Sequence, residues 1–454
     1  LGPDQENKNQ QNGNLTVKIL LCCEFFYPSV GGAQEVVRQL ATRLARWGHD
    51  VSVATSFLAN RTSDVHEGVK IISFNISGNW ANGLMGEVQS YRQFMLEGRF
   101  DLVFIYAAQQ WTLDAILDEL PRIKARKVLV PCGYSGLPDP GYARYFARLP
   151  AVLSCFDALV YHAYDYRDHH FAKEHQLNNS FFIPNAADDI EFSSSSGADA
   201  RSALELAPDE VVLLTVGSLN GAKGHLEVAE AFSKAVLLRS ATLILNGNDM
   251  PPTGDNMMSN VRKLVTQMKS RGILHTARFV LGRLLHAVGL RPDYFDRLER
   301  VMKEVNGRPA AGKRIIRTNL ARRELIETFL ASDLFVFASI IEYSPLVLFE
   351  ACAAGLPFLT VPVGNSREIV EWTQGGELCP AKVDAHGFTR VDTTELARRI
   401  SDLAADPERL AALAANGRKA WRERYNWETI SREYEALFAR LTRPHSSTDS
   451  THEK

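Results

Sequence analysis

The stretch Asp333-Leu-Phe-Val-Phe-Ala-Ser339, Glu342-Tyr-Ser-Pro-Leu-Val-Leu-Phe-Glu350, Ala351-Cys-Ala-Ala-Gly-Leu-Pro357 decides how this chain folds. Its first segment is an apolar run that reads as a buried strand. A short helix follows, stops at Gly355 and leads into a further strand, Phe358-Leu-Thr-Val361. Ser344 suits the N-cap, and Pro345 suits the first helical position, where its missing N–H costs nothing. The free N–H groups and positive end of that helix would then open beside Glu342, ready for an anion. Glu350 falls roughly one and a half turns further on. Ionised carboxylates only accept hydrogen bonds and suit vicinal diols. Strand, cap, proline and glycine agree on one local structure, which favours a binding site over two unrelated surface glutamates.

The same alternation extends upstream. A βαβ series starts at Val211-Val-Leu-Leu-Thr-Val216 and continues through a helix carrying Leu226, Ala229, Phe232 and Val236 to the strand Ala241-Thr-Leu-Ile-Leu245. The loop Gly217-Ser-Leu-Asn-Gly-Ala-Lys-Gly-His225 lies at the carboxyl edge of the sheet, where open α/β sheets bind ligands. There Lys223 can neutralise a diphosphate as a point charge, with Gly224 giving close backbone approach and Gly217 and Ser218 as further donor-side positions of the same loop. The glycine spacing is not that of a Walker loop. Asn246 and Gly247 follow the next strand and can line the same cleft or form a plain turn. In Val363-Gly-Asn-Ser-Arg-Glu368, Ser366 reads as an N-cap and Glu368 as a complement to the helix dipole.

A separate series precedes it. Val17-Lys-Ile-Leu-Leu-Cys-Cys23 reads as a strand buried on both faces, followed by a loop with Gly31 and Gly32. The next helix carries Val36, Val37, Leu40, Leu44 and Trp47 on one stripe, and Val51-Ser-Val-Ala-Thr55 completes the βαβ unit. Further strands are expected at 69–74, 101–106, 127–130, 158–161 and 180–183. His162, His169 and His170 fit no recognised metal spacing and read as part of a surface helix.

The fold class that follows is α/β: two Rossmann-like, doubly wound parallel-sheet domains facing across a cleft. The expected division is a disordered tail over 1–16, a first domain over 17–190, a linker over 191–208 and a second domain over 209–425. A helical insertion is expected over about 250–312, with one apolar stripe on Met257, Val261, Leu264, Val265 and Met268 and another on Tyr294, Phe295, Leu298, Val301 and Met302. A short strand is expected near Phe279. A terminal helix over 426–441 and a disordered tail over 442–454 complete the chain.

Composition narrows the function classes. With 51 basic and 53 acidic residues among 454, the net charge of −2 gives no support for nucleic-acid binding. No apolar run is long enough to span a bilayer, and the polar N-terminus has no signal-peptide core. The six cysteines have no CxxC spacing, which points to a reduced cytoplasmic protein without a structural zinc.

Taken in order, several segments resemble the retaining nucleotide-sugar glycosyltransferases of GT-B fold, glycosyltransferase family 4. They are Tyr27-Pro-Ser-Val-Gly-Gly-Ala-Gln-Glu35, Arg46-Trp-Gly-His-Asp-Val51, Ile183-Pro-Asn-Ala186, Val216-Gly-Ser-Leu219 with Lys223-Gly224, and Ala331 through Pro357. The resemblance covers roughly residues 17 to 441. It implies a donor nucleotide held by the second domain and a glycan or lipid-linked glycan acceptor held by the first. Carried over residue by residue, Glu350 would bind the ribose and Glu342 the donor sugar. Lys223 and the amides around Ser344, Pro345 and Leu346, next to Tyr343, would hold the diphosphate. Gly31, Gly32, Cys132, Gly133 and Tyr134 would line the acceptor side. Two departures stand out: Ser218 replaces an arginine the family often carries, and Pro131-Cys-Gly-Tyr134 lacks the family's histidine.

The implied reaction is transfer of a hexose-type sugar with retention of configuration, in polysaccharide or glycoconjugate biosynthesis. Lys223 and Glu342 are the expected catalytic residues. No metal or other cofactor is required, because the leaving phosphate itself assists deprotonation of the acceptor. The implied location is cytoplasmic or peripheral at the inner face of a membrane. The alternatives are an epimerase or hydrolase of nucleotide sugars on the same architecture, which turns over without acceptor, and a non-catalytic nucleotide-sugar binder. A dinucleotide-dependent dehydrogenase ranks below these because the Gly-rich fingerprint is missing.

Overall fold

The computed structural model describes residues 16–193, 197–248, 294–308 and 312–443. The expected N-terminal tail up to residue 15, the stripe from Met257 to Met268, the strand near Phe279 and the tail after Arg443 lie outside the described residues.

The first half is an eight-stranded sheet. Its order is Ser180–Phe182, Ala158–Tyr161, Arg126–Val130, Leu102–Tyr106, Lys18–Cys22, Asp50–Ser56, Val69–Phe74 and Val65–His66. Only the last pair is antiparallel. Its central strands are apolar without alternation because helices cover both faces: Ile19, Leu20, Leu21 and Cys22 are all buried. Two hairpins add to what the sequence suggests, Ile76–Asn79 with Gly83–Gly86 and, in the second half, Ala381–Val383 with Thr389–Val391.

The second half is a six-stranded, wholly parallel sheet in the order Lys313–Thr318, Ala241–Asn246, Val211–Val216, Leu334–Phe337, Phe358–Thr360, Gly376–Leu378. Every residue of Val211–Val216 is buried, as a central strand between two helical layers requires. The stripe from Tyr294 forms the helix Tyr294–Asn306, and its Tyr294 hydroxyl accepts the Leu226 N–H at 2.7 Å.

The chain passes between the halves twice. The two passages are hydrogen-bonded together, Ala187 N–H to the Tyr425 carbonyl and Trp427 N–H to the Ala187 carbonyl, each at 3.1 Å. The last helix, Trp427–Thr442, packs on Gly32–Arg46 of the first half. Trp427, Ile430, Tyr434 and Phe438 are buried there with Leu40, Leu44 and Phe104. Asn426 caps that helix by accepting the Thr429 N–H at 2.9 Å.

Candidate active site

A cavity of about 290 Å³ lies between the halves where the carboxyl edges of the two sheets meet. Gly32, Tyr106, Cys132 and Asn185 line it from the first half, and Gly217, Ser218, Lys223 and Glu342 to Val347 from the second. Two connections explain the convergence. The Lys223 loop follows the strand Val211–Val216, and the Glu342 loop follows the neighbouring strand Leu334–Phe337. Gly224 lets these loops touch: it has φ 76°, and a Cβ there would lie 2.1 Å from the Ala338 carbonyl oxygen.

Lys223 Nζ meets Glu342 Oε1 at 2.5 Å, with both side chains mostly shielded from solvent. The Ser339 hydroxyl lies 3.3 Å from the same oxygen and 3.0 Å from the Ala222 carbonyl, tying the two loops together. Positive and negative charge are therefore already paired where the sequence expects a diphosphate and a sugar.

The helix beside them begins one residue later than expected, at Leu346, with Pro345 at ψ 114° in the capping position. Ser344 is not its cap. It precedes a proline, which disfavours helical backbone at that position, and its carbonyl accepts the Asn185 side-chain amide at 3.0 Å. Its hydroxyl is buried without a hydrogen-bond partner among the described residues. Leu346 and Val347, whose N–H groups precede the first intrahelical bond, line the cavity. The helix ends at Gly355, as expected, in the left-handed conformation.

Glu350 is buried on the next turn, and its Oε1 accepts Arg322 Nη1 at 2.6 Å. Arg322 also grips Glu191 of the passage between the halves, at 2.7 and 3.0 Å. Surrounding carboxylates overcome the cost of its burial and hold its charge firmly. Sequence reasoning missed Arg322. The available signal was a pair of arginines, Arg322-Arg323, opening a helix, where the macrodipole disfavours cations unless an anion is near.

Several expected positions lie elsewhere. The Asn246 side chain does not face the cleft; its oxygen accepts the Thr318 hydroxyl at 3.0 Å and the Leu320 N–H at 2.9 Å, tying strand ends together. Gly247 is behind it, bonded to the Thr318 carbonyl. Tyr134 is buried in the first half against Phe146 and Phe171, not in the cleft. The cause is three successive left-handed residues, Cys132, Gly133 and Tyr134 at φ 61°, 81° and 49°, which turn the chain back into its own half. Cys132 does reach the cavity, and burial pushes its thiol up, so it is not poised as a nucleophile. Gly31 precedes the helix that Gly32 opens.

His169 and His170 lie on the surface helix Arg167–Glu174, as expected, but His162 does not. His162 ends the strand Ala158–Tyr161 region and is buried, its Nδ1 2.7 Å from the Ile183 carbonyl and its Nε2 3.2 Å from the Tyr106 hydroxyl. Burial moves it down to about 4, so it is neutral at pH 7. His169 is buried as well, and His170 alone is exposed.

Ser366 does not cap its helix, because Asn365 occupies the capping position. Glu368 stands in the first turn of that helix, as a complement to its dipole would, and also reaches across to the first half, where it accepts the N–H groups of Tyr164 at 3.0 Å and Asp165 at 2.6 Å. Asn365 Nδ2 donates to the His162 carbonyl at 2.9 Å. Tyr343 and Tyr166 add two more ties: His162 N–H donates to the Tyr343 hydroxyl at 3.0 Å, and the Tyr166 hydroxyl to the Glu342 carbonyl at 2.6 Å. Segment 162–166 of the first half is thus clasped by the Glu342 loop beside the cavity and by Asn365 and Glu368 at the start of the next helix.

Two facing Rossmann-like domains with a cleft between their carboxyl edges define the GT-B architecture, and that is the fold of this chain. Residues 284–420 match the model of the family described as glycosyl transferases group 1. The chain is similar to the N-acetyl-α-D-glucosaminyl L-malate synthase of Bacillus anthracis, 21% identical over 431 residues, covering 93% of this chain and 97% of that one. It superposes on sucrose-phosphate synthase of Thermosynechococcus elongatus with a TM-score of 0.66 at 18% identity, covering 93% of this chain and 98% of the other. Anabaena HepE in complex with UDP and glucose gives a TM-score of 0.61 at 16% identity, covering 93% and 100%. Among the described residues no helix is long and apolar enough to cross a membrane.

Proposed function

We propose that this chain is a retaining glycosyltransferase of family 4 type that moves a sugar from a nucleoside diphosphate to an acceptor hydroxyl. The observation that carries this reading is the Lys223–Glu342 pair at the mouth of the Leu346–Ala354 helix, facing Gly32 across the cavity. Similarity over almost the whole chain to a synthase named for an N-acetylglucosaminyl malate product supports it, as does the fold shared with a protein that binds UDP and glucose.

Binding would work by exchange of partners. The diphosphate brings negative charge to Lys223 and to the N–H groups of Leu346 and Val347, and Glu342 is released to accept hydrogen bonds from the sugar. Glu350 accepts from the ribose. During reaction the bond from the anomeric carbon to the phosphate oxygen breaks and a bond to the acceptor oxygen forms on the same face. The acceptor proton passes to the departing phosphate oxygen, so neither a protein base nor a metal is needed. Lys223 stabilises the charge that develops on the leaving group. The acceptor, a glycan or lipid-linked glycan of polysaccharide or glycoconjugate biosynthesis, approaches from the first half, in the cytoplasm or at the inner face of a membrane.

A panel of UDP-, GDP-, ADP- and dTDP-sugars screened by thermal shift, then incubated with hydroxyl acceptors and read by mass spectrometry, tests this. The expected product is the acceptor plus one sugar, formed equally well in excess EDTA and lost in Lys223→Ala. Release of nucleotide without any glycosylated product would instead show a hydrolase, and binding without turnover a non-catalytic binder.

A further inference from the structure

Glu342 is held from the opposite half of the molecule. The residue after it, Tyr343, projects its ring out of the second half and into a slot of the first. One wall of that slot is Gly133, in the left-handed conformation at φ 81°. A Cβ on Gly133 would lie 2.9 Å from Tyr343 Cδ2 and 2.7 Å from Tyr166 Cε1, so the slot exists only because that side chain is absent. At its far end the Tyr343 hydroxyl accepts the His162 N–H at 3.0 Å and meets the buried Asp168, whose Oδ2 accepts the Gly133 N–H at 2.9 Å. The second wall is Tyr166, whose ring centroid is 5.2 Å from that of Tyr343 and whose hydroxyl holds the Glu342 carbonyl at 2.6 Å. At the rear, the Asn365 N–H holds the Tyr343 carbonyl at 2.8 Å.

We propose that Tyr343 is a positioning residue: its ring, seated in the Gly133 slot, sets the Glu342 carboxylate towards the sugar only when the two halves are together. The proposal rests on the reading of Glu342 as the sugar contact. Peptide units 342–343 are pinned by one hydroxyl from the first half and one N–H from the second, so the Glu342 backbone has no freedom while the ring is seated. With the ring withdrawn, the Tyr166 bond, the His162 bond and the slot contact are all lost at once, and Glu342 is left with partners of the second half alone: Lys223, Ser339 and, on the next peptide, the Asn365 N–H. Sugar placement thereby becomes conditional on closure, whereas the diphosphate site, built from Lys223 and the Leu346 helix, lies wholly in the second half.

The split between those two sites gives the test. With the nucleotide sugar turned over in the panel above, Tyr343→Ala is expected to lower kcat about 50-fold or more, while the affinity for the free nucleoside diphosphate stays within about twofold. Tyr343→Phe keeps the ring and loses one hydrogen bond, so kcat is expected to fall about three- to tenfold, again with nucleoside diphosphate affinity unchanged. Gly133→Ala is expected to resemble Tyr343→Ala, and the double variant to be no worse than either alone, because the added methyl then fills a vacated slot. Wild-type kcat in both Tyr343 variants, or nucleoside diphosphate affinity lost in step with kcat, overturns the proposal. Failure of the underlying reading is seen separately: Glu342→Gln would then turn over as wild type with the Tyr343 variants also unaffected.

Discussion

Glu368 of the second half accepts the Asp165 N–H of the first at 2.6 Å, so a carboxylate in the first turn of its own helix also fastens the two halves together. Replacing it by alanine removes both this bond and that to Tyr164. Hydrogen bonds to a charged partner contribute about 1.5–3 kcal/mol each when fully shielded, and the rim position of Glu368 reduces that. Glu368→Ala is therefore expected to enlarge the radius of gyration of the ligand-free protein in small-angle scattering. Apparent donor affinity should fall about five- to tenfold, because the closed form is less populated.

Glu350 and Arg322 are coupled, and their variants should not be equivalent. Glu350→Gln removes a charged acceptor, and nucleotide affinity measured by calorimetry is expected to fall about tenfold or more. Arg322→Ala leaves Glu350 and Glu191 without their shared cation, so two neighbouring carboxylates must both be accommodated. The expected result at neutral pH is a loss of affinity, and a lesser loss in Arg322→Lys, which keeps the charge but not the fork.

Burial raises Asp168 from 3.8 to about 6, with hydrogen bonds from Tyr343 and from the Gly133 and His169 N–H groups acting the other way. A carboxyl whose folded value is raised binds its proton more tightly when folded. Its contribution to stability is fully present below about 3.8 and is lost as pH rises through about 6. Asp168→Asn, which cannot ionise, should flatten the pH dependence of the denaturant midpoint between those values. An unchanged profile would mean that the carboxyl is ionised throughout. Asp114, also raised to about 6 by burial, supplies the slope expected to remain.

Trp427 is 1% exposed and begins the helix that returns to the first half. Truncation of a buried aromatic of this size costs about 3–5 kcal/mol. Trp427→Ala should lower the unfolding free energy obtained from urea denaturation by that amount and expose the face around Leu40, Leu44 and Phe104 to a hydrophobic dye.

What the sequence made legible is what neighbouring residues dictate. Buried strands such as Val211–Val216 announce themselves by unbroken apolar runs, and Gly355 marks a helix end by its own backbone needs. Lys223, Glu342 and Leu346 could be placed at one edge because strand–loop–helix order alone puts them there. The errors and omissions fall where partners are distant in the chain. Glu368 finds its partner 203 residues away and His162 meets Tyr343 across 181, and no local pattern carries such information. Ser344 failed as a cap because Asn185, 159 residues away, holds its carbonyl. Tyr134 was misplaced because three left-handed residues in a row, two of them not glycine, run against ordinary expectation.

The paired passages at Ala187 and Tyr425–Trp427 have a mechanical consequence. A single connecting strand would let one half swivel about it in any direction. Two strands, tied by main-chain hydrogen bonds, restrict such a swivel as the two leaves of a door hinge do. Any opening would have to part Gly32 from Leu346 and withdraw Tyr343 from its slot, and the paired strands would favour return to the same register.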